Sequence, residues 1–495
     1  MGILFLHTGY QMFNSVPMPP SLLRRAFLTQ ASRWILIALT SIPPALLAGV
    51  DEDWPRFLGP HANNHSLETG LVEKWPAEGP TVLWQKNVGA GYSAPSVLGQ
   101  KLVLHHRVKD QEIVECFNAN TGESLWQYAY PSQFRDPFGY NNGPRATPTL
   151  FSNRCYTFGA EGKLCCLNLE NGTVLWQRDT AKDWSVPEPF FGVGSTPLLE
   201  GDKLIVMVGG QPNAAVVALD ALTGRTLWEN GGKTNWDGAT TLDWRGEAPY
   251  HWTGEEKVAS YSSPVAATIQ GRRMVLCFTR QGLMALNPEN GEIYFSRWFE
   301  SSVNESVNAM CPVVQDDQVL LSAAYYHIGA VLLRVLPDGR SLQSVWRSPG
   351  PKVPEDSTDA AAQPVLEIHW NTPVLEHGFL FAFSGRNEPD ALFRCVEFAT
   401  GKLLWSRSER WRPHSYSQPT VYGRGSAILA DGRLWVLGEG GKLGLFAPKP
   451  QAPEELCSWQ VPQLHYPCWA APVLSHHKLY LRSEDKLVCL DVGKH

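Results

Sequence analysis

The stretch ATPTLFSNRCYTFGAEGKLCCLNLENGTVLW (146–176) decides how the rest of the chain is read. It opens on a small residue and a proline, runs through short alternating segments, and closes on Asn168, Gly172 and Trp176 at fixed spacing. Alternation over four to eight residues between Gly- and Asn-rich turns predicts half-buried strands. Glycine at the turn can take positive φ, and the Asn side chain can bond the nearby backbone. The tryptophan ends the outer strand, where its ring can bury roughly 150–250 Å² against a neighbour.

The phrase recurs along the chain. Copies stand at 93–126, 195–228 and 262–295, weaker ones at 310–346 and 371–405, one without the proline at 425–459, and a shortened one at 470–492. Each reads as four alternating strands, the period of a propeller blade. The eighth copy lacks a fourth strand, and TVLWQKN (81–87) is a fourth strand without a blade. Pairing the two closes the ring and removes the open edges. The prediction is an all-β, eight-bladed propeller of four-stranded antiparallel blades over about 82–493, with seven blades and a decorated gap as the alternative. Residues 1–49 read as an N-terminal extension and export signal, 50–80 as a lead-in, and 81–495 as the propeller.

Composition agrees with many short strands and turns: 43 Gly, 37 Pro and 19 Trp in 495 residues, with only 18% charged. The net charge of −6 offers nothing to nucleic acid. From Met18 the chain carries Arg24, Arg25 and Arg33, then an apolar run from Trp34 to Leu47, then small residues. That is the order of an export signal, cut near Ala48 or Gly49, with an uncleaved anchor as the alternative, and RRAFL also resembles a twin-arginine signal. The expected location is periplasmic or extracellular. LLAG is followed by Val50 and not by Cys, so no lipid anchor is expected.

The Asp/Asn-x-x-Thr/Asn-Gly-x-x-x-Trp tail resembles the repeat of quinoprotein (pyrroloquinoline quinone, PQQ) alcohol dehydrogenases. It also resembles the repeat of their non-catalytic relatives, including BamB, the propeller lipoprotein of the outer-membrane β-barrel assembly machinery. DWPRFLGPHANN (53–64) followed by such blades is similar to exported bacterial PQQ-binding-like propeller proteins. The resemblance implies fold more than activity, since one fold hosts many functions.

The adjacent pair Cys165–Cys166 raises the question of redox chemistry. In register, Cys116, Cys166, Ala218, Ala285, Cys395 and Cys489 share one third-strand position that asks for a small buried residue. Cys166 is thereby explained by packing, and Cys165 points to the other face. A vicinal disulfide would strain a regular strand, because consecutive Cα atoms lie only ~3.8 Å apart. One covalent alternative stays open: the turn 159–162 would set Cys155 opposite Cys166 for a cross-strand bridge. The remaining cysteines show no zinc spacing.

Function is expected on the face that carries the 2→3 and 4→1 connections. These are long and aromatic at 131–143, 179–192, 229–258 (with Trp236, Trp244, His251 and Trp252) and 349–368, whereas the opposite turns are tight. Three residues before each repeat proline stand Tyr92, Arg145, Gly194, Tyr261, Ala309, Trp370, Gly425 (or Arg424) and Trp469. Equivalent positions of a propeller ring its channel. Tyr92, Arg145, Tyr261, His369, Trp370, Asn371, Arg424 and Trp469 are therefore the candidate ligand- or cofactor-binding residues, for a flat conjugated anion or a sugar. The plain alternative is that they plug the channel.

A quinoprotein dehydrogenase would need PQQ with calcium or a lanthanide held by Glu and Asn, and an Asp base. Asp136, Asp183, Glu188 and Asp237 lie on the right loops, but no motif matches, and no C-x-x-C-H haem motif is present. No catalytic or metal residue is assigned, and no cofactor beyond what that resemblance implies. The expected role is a monomeric binding or scaffold module engaging a protein, small ligand or glycan. A PQQ-dependent alcohol or sugar dehydrogenase and a carbohydrate-binding propeller are the alternatives.

Overall fold

The computed structural model describes residues 50–188, 190–239, 249–300, 306–349, 364–411 and 420–495. The expected leader (1–49), Trp244 and most of the 349–368 connection lie outside the described residues. Thirty-two strands form eight antiparallel four-stranded sheets. In chain order the blades span 96–131, 149–179, 198–230, 265–298, 313–348, 374–408 and 426–460. The eighth takes three strands from 473–491, and Thr81–Asn87 completes it against Lys486–Asp491. The ring closes as the sequence predicts.

The repeat residues earn their spacing by acting in pairs across blades. Trp84, Trp126, Trp176, Trp228 and Trp346 each lie over the turn glycine of the next blade: Gly122, Gly172, Gly224, Gly291 and Gly401. A Cβ on Gly172 would stand 2.5 Å from the Trp126 ring, so only glycine admits the indole. Each indole N–H then donates to a carbonyl of the same turn, as Trp126 Nε1 does to Leu169 O at 2.9 Å and Trp176 Nε1 to Ala221 O at 3.0 Å. At the seam, where blade 8 has no such turn of its own, Gly79 of the lead-in receives Trp459.

The small third-strand position is explained by the same residue. Cys116, Cys166, Ala218, Ala285, Cys395 and Cys489 lie directly opposite Trp126, Trp176, Trp228, Phe295, Trp405 and Trp84. A β-bulge follows at this point in each pair, turning the ring onto the neighbouring blade.

The cross-strand cysteine bridge is corrected. Cys155 faces Leu167, and Cys166 faces Tyr156. The turn pairs Phe158 with Leu164, one residue out of the expected register, and a one-residue slip moves a side chain to the opposite face. Cys155 and Cys165 pack in one hydrophobic cluster, Cys166 in another, and all are free thiols. Burial pushes the Cys165 thiol up to about 12. Such thiols behave as small hydrophobes.

The innermost strands expose backbone N–H groups toward the channel, and these need partners. The residue before the repeat proline supplies them. Ala94 N–H donates to Thr147 Oγ1, Thr147 N–H to Thr196 Oγ1, and Thr196 N–H to Ser263 Oγ. Ser263 N–H then donates to Cys311 Sγ, and Cys311 N–H to Thr372 Oγ1. Blades 1 to 6 are thus stitched side chain to backbone around the axis.

Blades 7, 8 and 1 carry Ala427, Ala471 and Ala94 near these positions, and there the lead-in takes part. Trp54 pairs with Val97, Pro55 O accepts Leu150 N–H, and Asn64 and Ser66 bond Leu429. Between these anchors Leu58 is buried against Val265 of blade 4 and Cys311 of blade 5. Residues 54–66 therefore form a strap across one end of the channel. Its tight path needs positive φ at Leu58, Gly59, Ala62 and Asn64.

Candidate functional site

The strap turns the channel into a cup. Phe57, Leu58 and Asn64 line a cavity of about 200 Å³ together with the start of every inner strand. The eight candidate residues Tyr92, Arg145, Tyr261, His369, Trp370, Asn371, Arg424 and Trp469 all line it, as do Gly194 and Ala309 from the same repeat position. In blade 7 Arg424 fills the position; Gly425 is not part of the lining. The loops of the face that carries the 2→3 and 4→1 connections add Tyr140, Phe191 and Tyr325.

The rings touch in a continuous belt. Tyr92 and Trp469 have centroids 4.8 Å apart, Trp469 and Trp370 5.2 Å, Trp370 and His369 4.9 Å, and His369 and Tyr325 5.3 Å. Tyr140 meets Trp469 edge-on at 5.6 Å, and Phe191 meets Tyr261 at 5.4 Å. The Phe191 N–H donates to Tyr261 Oη at 2.6 Å, which fixes that ring.

Both guanidiniums in the wall are already paired. Arg145 reaches Asp136 Oδ2 at 2.6 Å and lies 5.6 Å from the Tyr92 centroid. Arg424 stacks 4.3 Å over Trp370, pairs with Glu388, and reaches Glu439 Oε2 at 3.0 Å. Glu439 is fully buried and collects further donors: Arg424 N–H at 2.9 Å, Trp411 Nε1 at 3.1 Å and Trp469 Nε1 at 2.9 Å. A buried carboxylate is tolerated when it is paired and hydrogen-bonded this completely. It holds Arg424 and Trp469 in one geometry.

Arg424 also donates to His369 Nδ1 at 3.3 Å, so Nδ1 is the acceptor and the ring proton sits on Nε2. Burial first, then the charges of Arg424 and Arg386, hold the His369 pKa well below the usual histidine value. The imidazole is neutral at physiological pH. Burial and the neighbouring Glu484 likewise raise the Tyr92 pKa, and its hydroxyl donates to Glu484 Oε1 at 3.0 Å. The Trp370 indole N–H is buried without a partner among the described residues.

A quinone with calcium asks for six to eight oxygen ligands including carboxylates. Among the described residues no Asp or Glu lines the cup, and the carboxylates behind it are spent on Arg145, Arg424, Tyr92 and two indoles. Among the described residues no group of three or more His, Cys, Asp or Glu could hold a metal ion. The donor set does not fit that pairing. Asp136 neutralises Arg145, Asp183 pairs with Arg178, Asp237 accepts the Trp252 N–H, and Glu188 is exposed.

No described residue of the 229–258 connection lines the cup. Trp236 is buried and meets Trp298 edge-on, and Tyr250 and Trp252 pack into the same cluster under blades 3 and 4. Of its described aromatics Trp236 is core and Tyr250 and Trp252 are half-buried packing, while His251 is exposed. Glu439 carried a faint signal, as the one acid in the glycine run 437–444. The strap carried none beyond its unusual composition.

Fold and lining together define a closed propeller of PQQ-type repeats with a blind aromatic cup. The family model described as outer membrane protein assembly factor BamB matches residues 68–183 and 109–346, more than half of the chain, and the chain belongs to this family. A BamB of Kangiella koreensis is 30% identical over 121 residues, 23% of this chain and 26% of that relative, so the match spans about a quarter of its length. Among solved structures, BamB from Moraxella catarrhalis superposes with a TM-score of 0.53 at 14% identity, covering 84% of this chain and 99% of that one. A europium-containing methanol dehydrogenase gives 0.61 at 14%, covering 87% and 89%. The quinohemoprotein alcohol dehydrogenase from Comamonas testosteroni gives 0.59 at 13%, covering 90% and 81%. At these identities the likeness is one of fold. No helix among the described residues is long and apolar enough to cross a membrane.

Proposed function

We propose that this chain is an exported binding or scaffold module that engages a protein partner through the face onto which the cup opens. The observation that carries the reading is the state of the wall: its guanidiniums are paired from behind and, among the described residues, no carboxylate faces the cavity. Such a wall offers shape and aromatic surface, and its imidazole, His369, is already engaged by Arg424 through Nδ1. The family match to an assembly factor supports the same direction. Export rests on the basic and apolar order of residues 18–49. A glycan reading draws on the meeting of Tyr92, Trp469 and Trp370, whose faces could stack on a sugar.

Site-specific photo-crosslinking in the producing cell tests the reading. A photoreactive residue at Tyr140, on the cup's rim, should give a discrete polypeptide adduct. One at Leu222, in an exposed turn of the opposite face, should not. Adducts from Leu222 alone, or from neither position, would overturn it.

A further inference from the structure

The cup is small, apolar and electrically self-contained. An apolar cavity of roughly 150 Å³ accommodates benzene, whereas drug-sized ligands occupy roughly 300–1,000 Å³. At about 200 Å³ this cup suits one aromatic ring and not a fused tricycle or a disaccharide. Its charges are set against both signs. A cation would meet the guanidiniums of Arg145 and Arg424, and an anion would find both already claimed by Asp136, Glu388 and Glu439. Burying an unpaired charge there costs far more than burying a neutral ring.

The apolar surface does not stop at the mouth. Phe138 and Tyr140 on the 131–143 loop are 52% and 46% exposed, and Phe138 lies 4.9 Å from Phe191. Phe190 continues the ridge toward Lys257, whose ammonium sits 4.3 Å over its ring. A small free ligand would be satisfied within the cup. A ridge of two exposed and two half-buried rings running out of it asks for something larger to cover it, with one anchor in the pocket and apolar contacts around it.

We infer that the cup receives a single neutral aromatic side chain from a partner polypeptide, whose flanking residues cover the Phe138–Phe190 ridge. This rests on the reading of the face as a protein-binding surface and adds the chemistry of its anchor. Tyr92, Trp370 and Trp469 supply the faces, with the strap residue Leu58 among the floor. Arg424 and Glu439 hold Trp469 and take no part in charge recognition.

Fluorine NMR on the full chain tests it with three probes of one fluorinated ring and near-equal size: 1-ethyl-4-fluorobenzene, 4-fluorobenzoate and 4-fluorobenzylammonium. The neutral probe should broaden and titrate, and each charged probe should bind at least about tenfold more weakly. Ala309→Leu, which fills the lining without a polar change, should abolish the neutral probe's binding. Trp469→Phe provides a second variant that keeps a ring while shrinking the wall, and it should weaken binding. Equal or tighter binding of a charged probe would overturn the inference, as would displacement by methyl α-glucoside or binding that survives Ala309→Leu. A charged probe winning while the Tyr140 adduct persists would remove the anchor chemistry alone. Neutral binding without any polypeptide adduct would remove the reading of the face.

Discussion

Glu439→Gln is the sharpest perturbation of the wall. The fully buried carboxylate accepts five hydrogen bonds: three from Arg424 (backbone N, Nε at 3.4 Å and Nη2) and one each from the Trp411 and Trp469 indoles. An amide in its place turns one acceptor into a donor. If the NH₂ takes the Oε2 position it faces Arg424 Nη2 and Trp469 Nε1, and both bonds are lost. Breaking a buried, hydrogen-bonded pair costs about 3–5 kcal/mol. With an unfolding entropy of about 2.1 cal/mol/K per residue over roughly 410 described residues, that is a fall in Tm of about 3–6 °C. Glu388→Gln is the control, because Glu388 is partly exposed and its pairing with Arg424 is screened; about 1 kcal/mol and about 1 °C are expected. Differential scanning fluorimetry and urea midpoints on both variants give the comparison. If Glu439→Gln falls no further than Glu388→Gln, the carboxylate does not organise the wall and the account of the cup is wrong.

Other positions give independent tests. His369 has a folded pKa depressed below its unfolded value, so the unfolded chain binds the proton first. Its contribution is fully present well above pH ~6.5 and is lost as the pH falls through that value, at a limiting slope of about 1.4 kcal/mol per pH unit; His369→Gln should flatten a urea-stability profile between pH 6.5 and 5.5 by about 1 kcal/mol. Thr196→Val keeps the shape but orphans the buried Thr147 N–H, and should cost about 1–3 kcal/mol in the same assay, with Thr196→Ser restoring most of it. Trp54→Ala empties the strap's anchor, whose ring is 2% exposed, and should cost about 3–5 kcal/mol by urea denaturation.

Residues whose job repeats were readable before any coordinates. Asn118, Gly122 and Trp126 recur because each indole needs the next blade's glycine, and a constraint imposed at every interface leaves a period. The ring from Tyr92 to Trp469 was legible for the same reason, since equivalent positions share a radius. The proline phrase was only half understood: the preceding Thr, Ser or Cys accepts the neighbour's N–H, and that role shows only in the hydrogen bonds.

What occurs once could not be read this way. The strap's path depends on left-handed turns at Leu58 and Ala62, residues that carry no turn signature. Glu439 is an ordinary letter in a glycine-rich hairpin until its five donors converge. Trp236 and Trp252 looked like loop display and are packing. Cys155 missed Cys166 by one residue, because turn length sets register and register sets the face.

The most direct test of the central claim is chemical. The chain would be purified from cells supplied with PQQ and calcium, denatured, and its quinone and metal quantified by absorbance and mass spectrometry. A wall whose carboxylates are spent on arginines and indoles predicts far less than one quinone per chain, unchanged by prior treatment with a chelator. Near one quinone and one calcium per chain, both released by the chelator, would contradict the account and restore a dehydrogenase.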